Sequence, residues 1–321
     1  MFKVIIIDTI YNQIVAAEEK KDKNARSYLY KLMQQQQTQK ITEAEASHLK
    51  SHPEDVLKNP SSLYVLDVAR NEAAGIQKKY GVICLSSDNL QISQLIDVND
   101  IHIPEPKRKR GRGWDTVLDS VENLPSNALL ISDRYLFSFR SNDAGDGLIN
   151  VRSILNELLP HQFEGKDYHV TIIFDKDKIH DSYSFEEIVF KLNNIKEQLG
   201  RTYPIMMEVL GITEDCDIYL NMHSRRIISN YYLVEASHKL AAFNKEDEGT
   251  VQQTLIPLAL FTESSLNGFS ASPLDSINQT LTTIRDFHKS LSSKKYHDDY
   301  VYAVNGKCME KCMGIRSRLI K

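Results

Sequence analysis

The sequence predicts an α/β protein of two domains, and three observations carry that prediction. Short runs of buried-type, β-branched residues alternate with longer stretches of helical period, as in Lys3–Ile7 (KVIII), residues 82–85 (VICL) and residues 168–174 (YHVTIIF). That alternation is the pattern of parallel sheets covered by helices. The chain has 321 residues, enough for two domains of ordinary size. Residues 103–113, IPEPKRKRGRG, combine two prolines, five basic residues and two glycines, a composition that breaks regular structure and divides the chain. The reading is an α/β domain over 1–104, a basic linker over 105–114, a second α/β domain over 115–265, and a C-terminal helix and tail over 266–321.

Composition narrows the function classes. With 41% hydrophobic and 26% charged residues, the chain reads as globular and soluble. A net charge of −4 neither demands nor excludes a nucleic-acid partner, so any basic surface must be local. No apolar run approaches the ~20 residues that span a bilayer. The opening MFKVIIIDTI meets Asp8 too soon, and lacks the small-residue cleavage site, for a signal peptide; it is read as a strand. Cys84, Cys216, Cys308 and Cys312 are too scattered for a disulfide scaffold, and cytoplasmic location follows as the default. Cys308-x-x-x-Cys312 has no second ligand pair, so no zinc site is expected.

In order, Lys3–Ile7 reads as a central parallel strand that delivers Asp8 and Thr9 to its carboxyl edge, where open α/β sheets place their sites. Residues 11–58 read as helical, with Tyr28, Leu29 and Leu32 on one face and a Thr42/Glu45 capping box before a short helix. Asn59-Pro60 breaks it. Periodicity leaves residues 63–66 (LYVL) open between strand and helix start. Residues 67–80 read as an amphipathic helix stopped by Gly81, followed by the strand 82–85 and the acid Asp88.

This order of acids is similar to the PIN nuclease fold, in which strand ends carry the carboxylates. The resemblance implies that Asp8, Asp67 and Asp88 hold Mg²⁺ or Mn²⁺, which would activate water against a phosphodiester. Ile10 follows Asp8-Thr9 where that family usually has Asn, and Glu43, Glu45, Glu54 and Asp55 are the candidates for a fourth acid. A Rossmann-like dinucleotide site is disfavoured, because the first strand-to-helix turn has no glycine-rich loop.

The basic residues Lys107, Arg108, Lys109, Arg110 and Arg112 suit both a solvated hinge and a tether on a nucleic-acid backbone. Trp114 is expected to anchor the second domain. There, residues 128–132 read as a strand, 141–147 as a turn and 149–159 as a helix stopped before Pro160. A strand over 168–174 ends at Asp175, and a long helix over 185–199 is stopped by Gly200. Residues 205–210 form another strand, 218–234 contains an extended stretch, and 254–261 is a last apolar segment. The helix over 273–291 carries Leu274, Ile277, Leu281 and Ile284 at helical spacing, and is expected to pack across a domain or subunit boundary.

Residues 221–243 hold the densest set of groups able to meet a phosphate: His223, Arg225, Arg226 and Asn230 in an apolar, extended context. Their spacing, H-x-R-x-x-x-x-N, resembles the phospholipase D signature H-x-K-x-x-x-x-D. The nearest form is the degenerate phospholipase D-like domain that follows the microtubule-interacting-and-trafficking domain in some proteins, with its prokaryotic relatives. Residues 127–137 (NALLISDRYLF) resemble that family's opening strand and its Asp-x-Tyr, here Asp133 and Tyr135. The resemblance implies a nucleophile at His223 and phosphate contacts from Arg225, Arg226 and Asn230. Arg for Lys keeps the charge and adds a planar fork; Asn for Asp removes the carboxylate that would charge the His. One motif per chain would make any phospholipase D-type site depend on a homodimer. Glu214, Asp215 and Asp217 offer a structural alternative, pairing with Arg225 or Arg226. Two readings follow: a nucleic-acid-binding protein or nuclease, by resemblance in a bacterial defence or mobile-element system, or a non-catalytic dimeric adaptor that binds a phosphate ligand or a protein.

Overall fold

The computed structural model describes residues 2–90, 101–103, 114, 118, 124–138, 145–216, 219, 225–236, 240, 253–259, 273–290, 299–310 and 314–320. It contains two sheets flanked by helices, as the α/β reading requires. The first comprises β1 (Lys3–Ile7), β2 (Thr38–Ile41), β3 (Ser62–Leu66) and β4 (Ile83–Ser86), all parallel, in the order β2-β1-β3-β4. Helices α1 (Asp8–Glu18), α2 (Tyr28–Gln35), α3 (Glu43–Ser51) and α4 (Arg70–Tyr80) make the connections. Residues 63–66 resolve as strand, each one buried. The capping box holds: Thr42 Oγ1 accepts from Glu45 N at 3.2 Å, and Glu45 Oε2 accepts from Thr42 N at 2.8 Å. Gly81 caps α4 in the left-handed region at φ 59°.

The expectation of helix throughout 11–58 is corrected by β2. Its four residues, TQKI, form the sheet's outer edge and bury only Ile41, so they carry no apolar alternation by which to be read. Parallel pairing of Ile7 with Ile41 holds the strand in place.

The second sheet has nine strands in the order β13-β12-β8-β7-β6-β9-β10-β11-β5. They are β5 (Ile101–Ile103), β6 (Ala128–Ser132), β7 (Tyr168–Asp175), β8 (Ile205–Ile212), β9 (Arg225–Ser229), β10 (Tyr232–Ala236), β11 (Gln253–Ala259), β12 (Tyr300–Val304) and β13 (Lys307–Met309). β6, β7 and β8 are parallel, linked through α5 (Gly145–Leu158) and α6 (Phe185–Gln198); the outer pairings are antiparallel. β5 pairs with β11, so residues 101–103 count with the second sheet although they precede the expected boundary at 104. The tail likewise joins this sheet through the β12–β13 hairpin, turned at Asn305 (φ 46°) and Gly306 (φ 79°). Asn-Gly is a strong short-range hairpin signal.

Alternation along the strands gives the second sheet two buried faces. Leu129, Ile131, Val170 and Ile227 face α5 and α6, together with Trp114, whose Nε1 donates to Asn150 Oδ1 at 2.7 Å. Trp114 is thus the anchor expected of it. Leu130, Ile173, Leu210 and Ile228 face the other way, into one core shared with Val4, Leu63 and Ile83 of the first sheet. Helix α7 (Pro273–Ser290) contributes Ile277, Leu281 and Ile284 to that core, at the spacing read from the sequence. Residues 314–320 close it with Ile315, Leu319 and Ile320. Arg318 donates to the carbonyls of Asn127 and Asp167, and Arg285 Nε donates to Ile320 O at 2.8 Å.

Glu208 on β8 is buried in this face. It accepts from Tyr302 OH at 2.6 Å, Arg316 N at 2.7 Å and Thr171 Oγ1 at 3.4 Å. Burial raises its pKa against the opposing pull of those donors. An acid whose pKa is raised on folding adds stability that is full below its unfolded value and is lost as pH rises through the folded one. Glu208→Gln, which keeps the shape and one acceptor oxygen for Tyr302 OH and Arg316 N while its amide N–H can donate to Thr171 Oγ1, is therefore expected to be more stable than the native chain at neutral pH. The gap should close as pH falls into the ordinary carboxylate range. Urea midpoints from pH 4 to 8 measure it; a constant gap would remove the titration from the account.

Candidate anion-binding site

Strand β6 is where the second sheet changes direction: β7 lies parallel on one side and β9 antiparallel on the other. Ligand sites of open α/β sheets favour the carboxyl end of a strand at such a switch. The chain there reads Ser132-Asp133-Arg134-Tyr135, and β7 ends alongside at Asp175.

Asp133 is fully buried, which would be costly without partners. Its Oδ1 accepts from Tyr135 N and its Oδ2 from Leu240 N, both at 2.8 Å. Arg225, at the start of β9, brings Nε to 3.8 Å from Asp133 Oδ1 and its guanidinium to 5.6 Å from the Tyr135 ring centroid. Arg134 donates from Nε and Nη2 to Tyr219 O at 3.0 and 2.6 Å, and stacks 3.8 Å over the Tyr219 ring. Tyr219 OH donates to Asp175 Oδ2 at 2.8 Å. Burial, then the bond to Asp175, pushes the Tyr219 phenol up to about 12. Two buried carboxylates and two arginines are thus held together at one sheet edge.

Arg225 and Arg226 do not act as a pair. Adjacent residues of a strand point to opposite faces. Arg226 lies on the far side, where Nε meets Glu235 Oε1 at 2.7 Å and Nη1 donates to Thr280 Oγ1 of α7. Glu235 is its direct cross-strand neighbour. Arg226 is therefore set on the opposite face of the strand from Arg225. The structural alternative of acid pairing applies, but with Asp133 and Glu235 as the acids.

Within the stretch read as extended, residues 225–229 and 232–236 are strands, and they fold back on each other as a hairpin. β9 and β10 pair with Leu233 opposite Ile228, so Asn230 and Tyr231 form the turn. Asn230 is buried at the domain junction. Its Oδ1 accepts from Asn127 N at 2.9 Å and Ala128 N at 3.1 Å. Its Nδ2 lies 3.1 Å from Pro60 O, 3.0 Å from Ser61 Oγ and 3.1 Å from Asn127 Oδ1. Tyr231 OH donates to Ser62 O at 2.6 Å and accepts from Ile83 N at 3.1 Å. The cavity beside Asn230 measures about 20 Å³, room for one water and too small for phosphate. Asn230 therefore joins the segment that carries β6 to the Pro60–Ser61 turn of the first sheet. His223 and the basic residues 107–112 lie outside the described residues.

Asp8, Asp67 and Asp88 do lie on one sheet edge, just beyond β1, β3 and β4. The side chains of Asp8 and Asp67 are spent separately. Asp8 pairs with Lys40 at 3.1 Å; Asp67 lies 3.8 Å from Lys50 and 3.3 Å from Ser87 Oγ. The Asp88 backbone is the part engaged: its carbonyl accepts from Arg70 and its N donates to Ser86 Oγ. Glu43 accepts from Thr9 Oγ1, Glu45 completes the capping box, and Asp55 takes His48 and Lys58. Among the described residues, no group of three His, Cys, Asp or Glu is placed to hold a metal ion. The strand order brings these acids to one edge, but all three are exposed, and Asp8 and Asp67 are each met by a lysine of their own.

Arg134, Asp175 and Tyr219 join the site without having been singled out. An acid closing a fully buried strand was the available signal for Asp175, and the middle residue of Asp-x-Tyr for Arg134.

No protein-family model and no curated protein matches the chain. Among solved structures, the crystal structure of Aa-Ago with externally bound siRNA aligns over 89% of this chain at 10% identity and a TM-score of 0.18. The alignment spans 44% of that chain. A similarity this weak carries no argument about fold or function. Among the described residues, no helix is long and apolar enough to cross a membrane.

Proposed function

We propose that the protein binds a phosphodiester polyanion, RNA or DNA, at the sheet edge where the carboxyl end of β6 meets the start of β9, and does so without hydrolysis. Arg225 is the anchoring cation, and Lys107, Arg108, Lys109, Arg110 and Arg112 add a sequence-independent grip on the backbone. The observation that carries this reading is the seating of Arg225 at the switch point. The Asp133 carboxylate is met there by two backbone N–H groups, and the guanidinium stands beside it over Tyr135. A planar fork held at a sheet edge suits phosphate oxygens. Binding is favoured over cleavage because the residue aligned with the catalytic Asp is Asn230, whose amide is committed to the domain junction.

Fluorescence anisotropy with labelled single-stranded RNA and DNA at increasing salt tests the reading. Arg225→Ala is expected to weaken binding about tenfold, the loss of a hydrogen-bonded charge, and Arg225→Lys to recover part of it. Replacing the five basic linker residues with serine should flatten log K against log salt by about 0.7–0.9 per lost phosphate contact. Salt-independent binding, or affinity indifferent to both changes, would refute the proposal. Incubation with Mg²⁺ or Mn²⁺, set against Asp8→Asn and His223→Ala, reads out cleavage; turnover lost in either variant would replace binding with catalysis.

A further inference from the structure

We propose that the groove between α4 and the carboxyl end of α5 binds a free nucleoside monophosphate. It lies on the seam between the two sheets, a common place for small-molecule sites, and is an open groove of about 450 Å³, within the range of a small-ligand pocket. Its walls supply each kind of contact such a ligand needs. Pro125 and Pro160 offer flat apolar surfaces for the faces of a base. Asn156 and Gln162 carry primary amides, which pair a donor with an acceptor and so match a base edge. Lys78, with His161, supplies positive or donor groups for a phosphate. Glu157, which accepts from Asn156 Nδ2 at 3.1 Å, has acceptor capacity left for a ribose hydroxyl.

The helix end in this wall does not oppose the anion. Carbonyls of Asn156 and Leu159 at the end of α5 are capped by Arg201 Nη2 at 2.7 and 3.1 Å, and Pro160 O accepts from Tyr203 OH at 2.5 Å. The groove is also preformed. Lys79 and Glu164 bridge its two sides, with a backbone bond of 2.6 Å from Glu164 N to Lys79 O and a salt bridge of 3.1 Å. A preformed site spares the cost of ordering it on binding. This site does not involve Arg225, so the two proposals stand or fall separately.

Isothermal titration of the full chain with AMP, GMP, CMP and UMP tests it, beside adenosine, inorganic phosphate and a short oligonucleotide. At least one monophosphate is expected to saturate a single site with Kd below about 1 mM. Lys78→Glu should weaken it by about tenfold or more. Ala74→Trp, which fills the groove from an exposed position on α4, should abolish it, and Arg225→Ala should leave it unchanged. Circular dichroism confirms that the variants remain folded. The proposal is overturned if no monophosphate saturates, if inorganic phosphate or the oligonucleotide alone accounts for binding, or if Arg225→Ala abolishes binding while Lys78→Glu does not.

Discussion

Asn230→Ala is expected to cost about 3–5 kcal/mol of stability, a large share of the ~5–15 kcal/mol typical of a folded chain. The side chain accepts from two buried backbone donors, Asn127 N and Ala128 N, at 2.9 and 3.1 Å. Truncation leaves both without a partner, and an unmet buried group costs about 1–3 kcal/mol. It also leaves Pro60 O and Ser61 Oγ without that donor across the domain boundary. Urea unfolding followed by tyrosine and tryptophan fluorescence measures the loss. Asn230→Asp separates structure from chemistry: it keeps the acceptor but loses the donor, so an intermediate loss is expected. If it instead unmasked phosphodiester cleavage, Asn230 would belong to a reaction centre. A cost below about 1 kcal/mol for the alanine variant would remove the junction role assigned here.

Gly81→Ala is expected to be comparably damaging, for a steric reason. Gly81 has φ 59°, where a Cβ costs about 1–2 kcal/mol. A Cβ there would stand 1.9 Å from Ser126 O and 2.3 Å from Ser126 C, both backbone atoms that cannot rotate aside. Overpacking adds about 1–3 kcal/mol, or the segment before β6 moves off α4 and takes the junction with it. Gly75 is the internal control, since a Cβ there meets nothing within 4 Å. In mid-helix, Gly75→Ala should stabilise by about 0.5–1 kcal/mol. Thermal melts of the two variants should move in opposite directions, and a shared direction would contradict the close approach at Gly81.

Much of the framework was legible because burial writes itself into apolar runs. β1, β6, β7 and β8 are wholly or almost wholly buried, and each was readable as a strand. The Thr42/Glu45 box and the Gly81 cap were readable because both are local chemistry. β2 was not, since an outer strand that buries only Ile41 needs no apolar pattern. The β9–β10 turn was hidden for the opposite reason. Tyr231 and Tyr232 are buried, so the apolar run resumes directly after Ser229-Asn230 and leaves only a two-residue break. The division of Arg225 from Arg226 followed from strand geometry alone, once a strand was assumed. The bonding of Asn230 to Asn127, 103 positions away, leaves no spacing to read.

Residues 314–320 have a consequence for biosynthesis. Ile315, Leu319 and Ile320 complete the core that both sheets share, and Arg318 and Arg285 tie that segment in place. During translation the amino-terminal sheet emerges first, yet the core it shares with its neighbour is not complete until those late residues leave the ribosome. A nascent chain stalled short of that point presents an oily face to the cell, and holding it there safely is work for a chaperone.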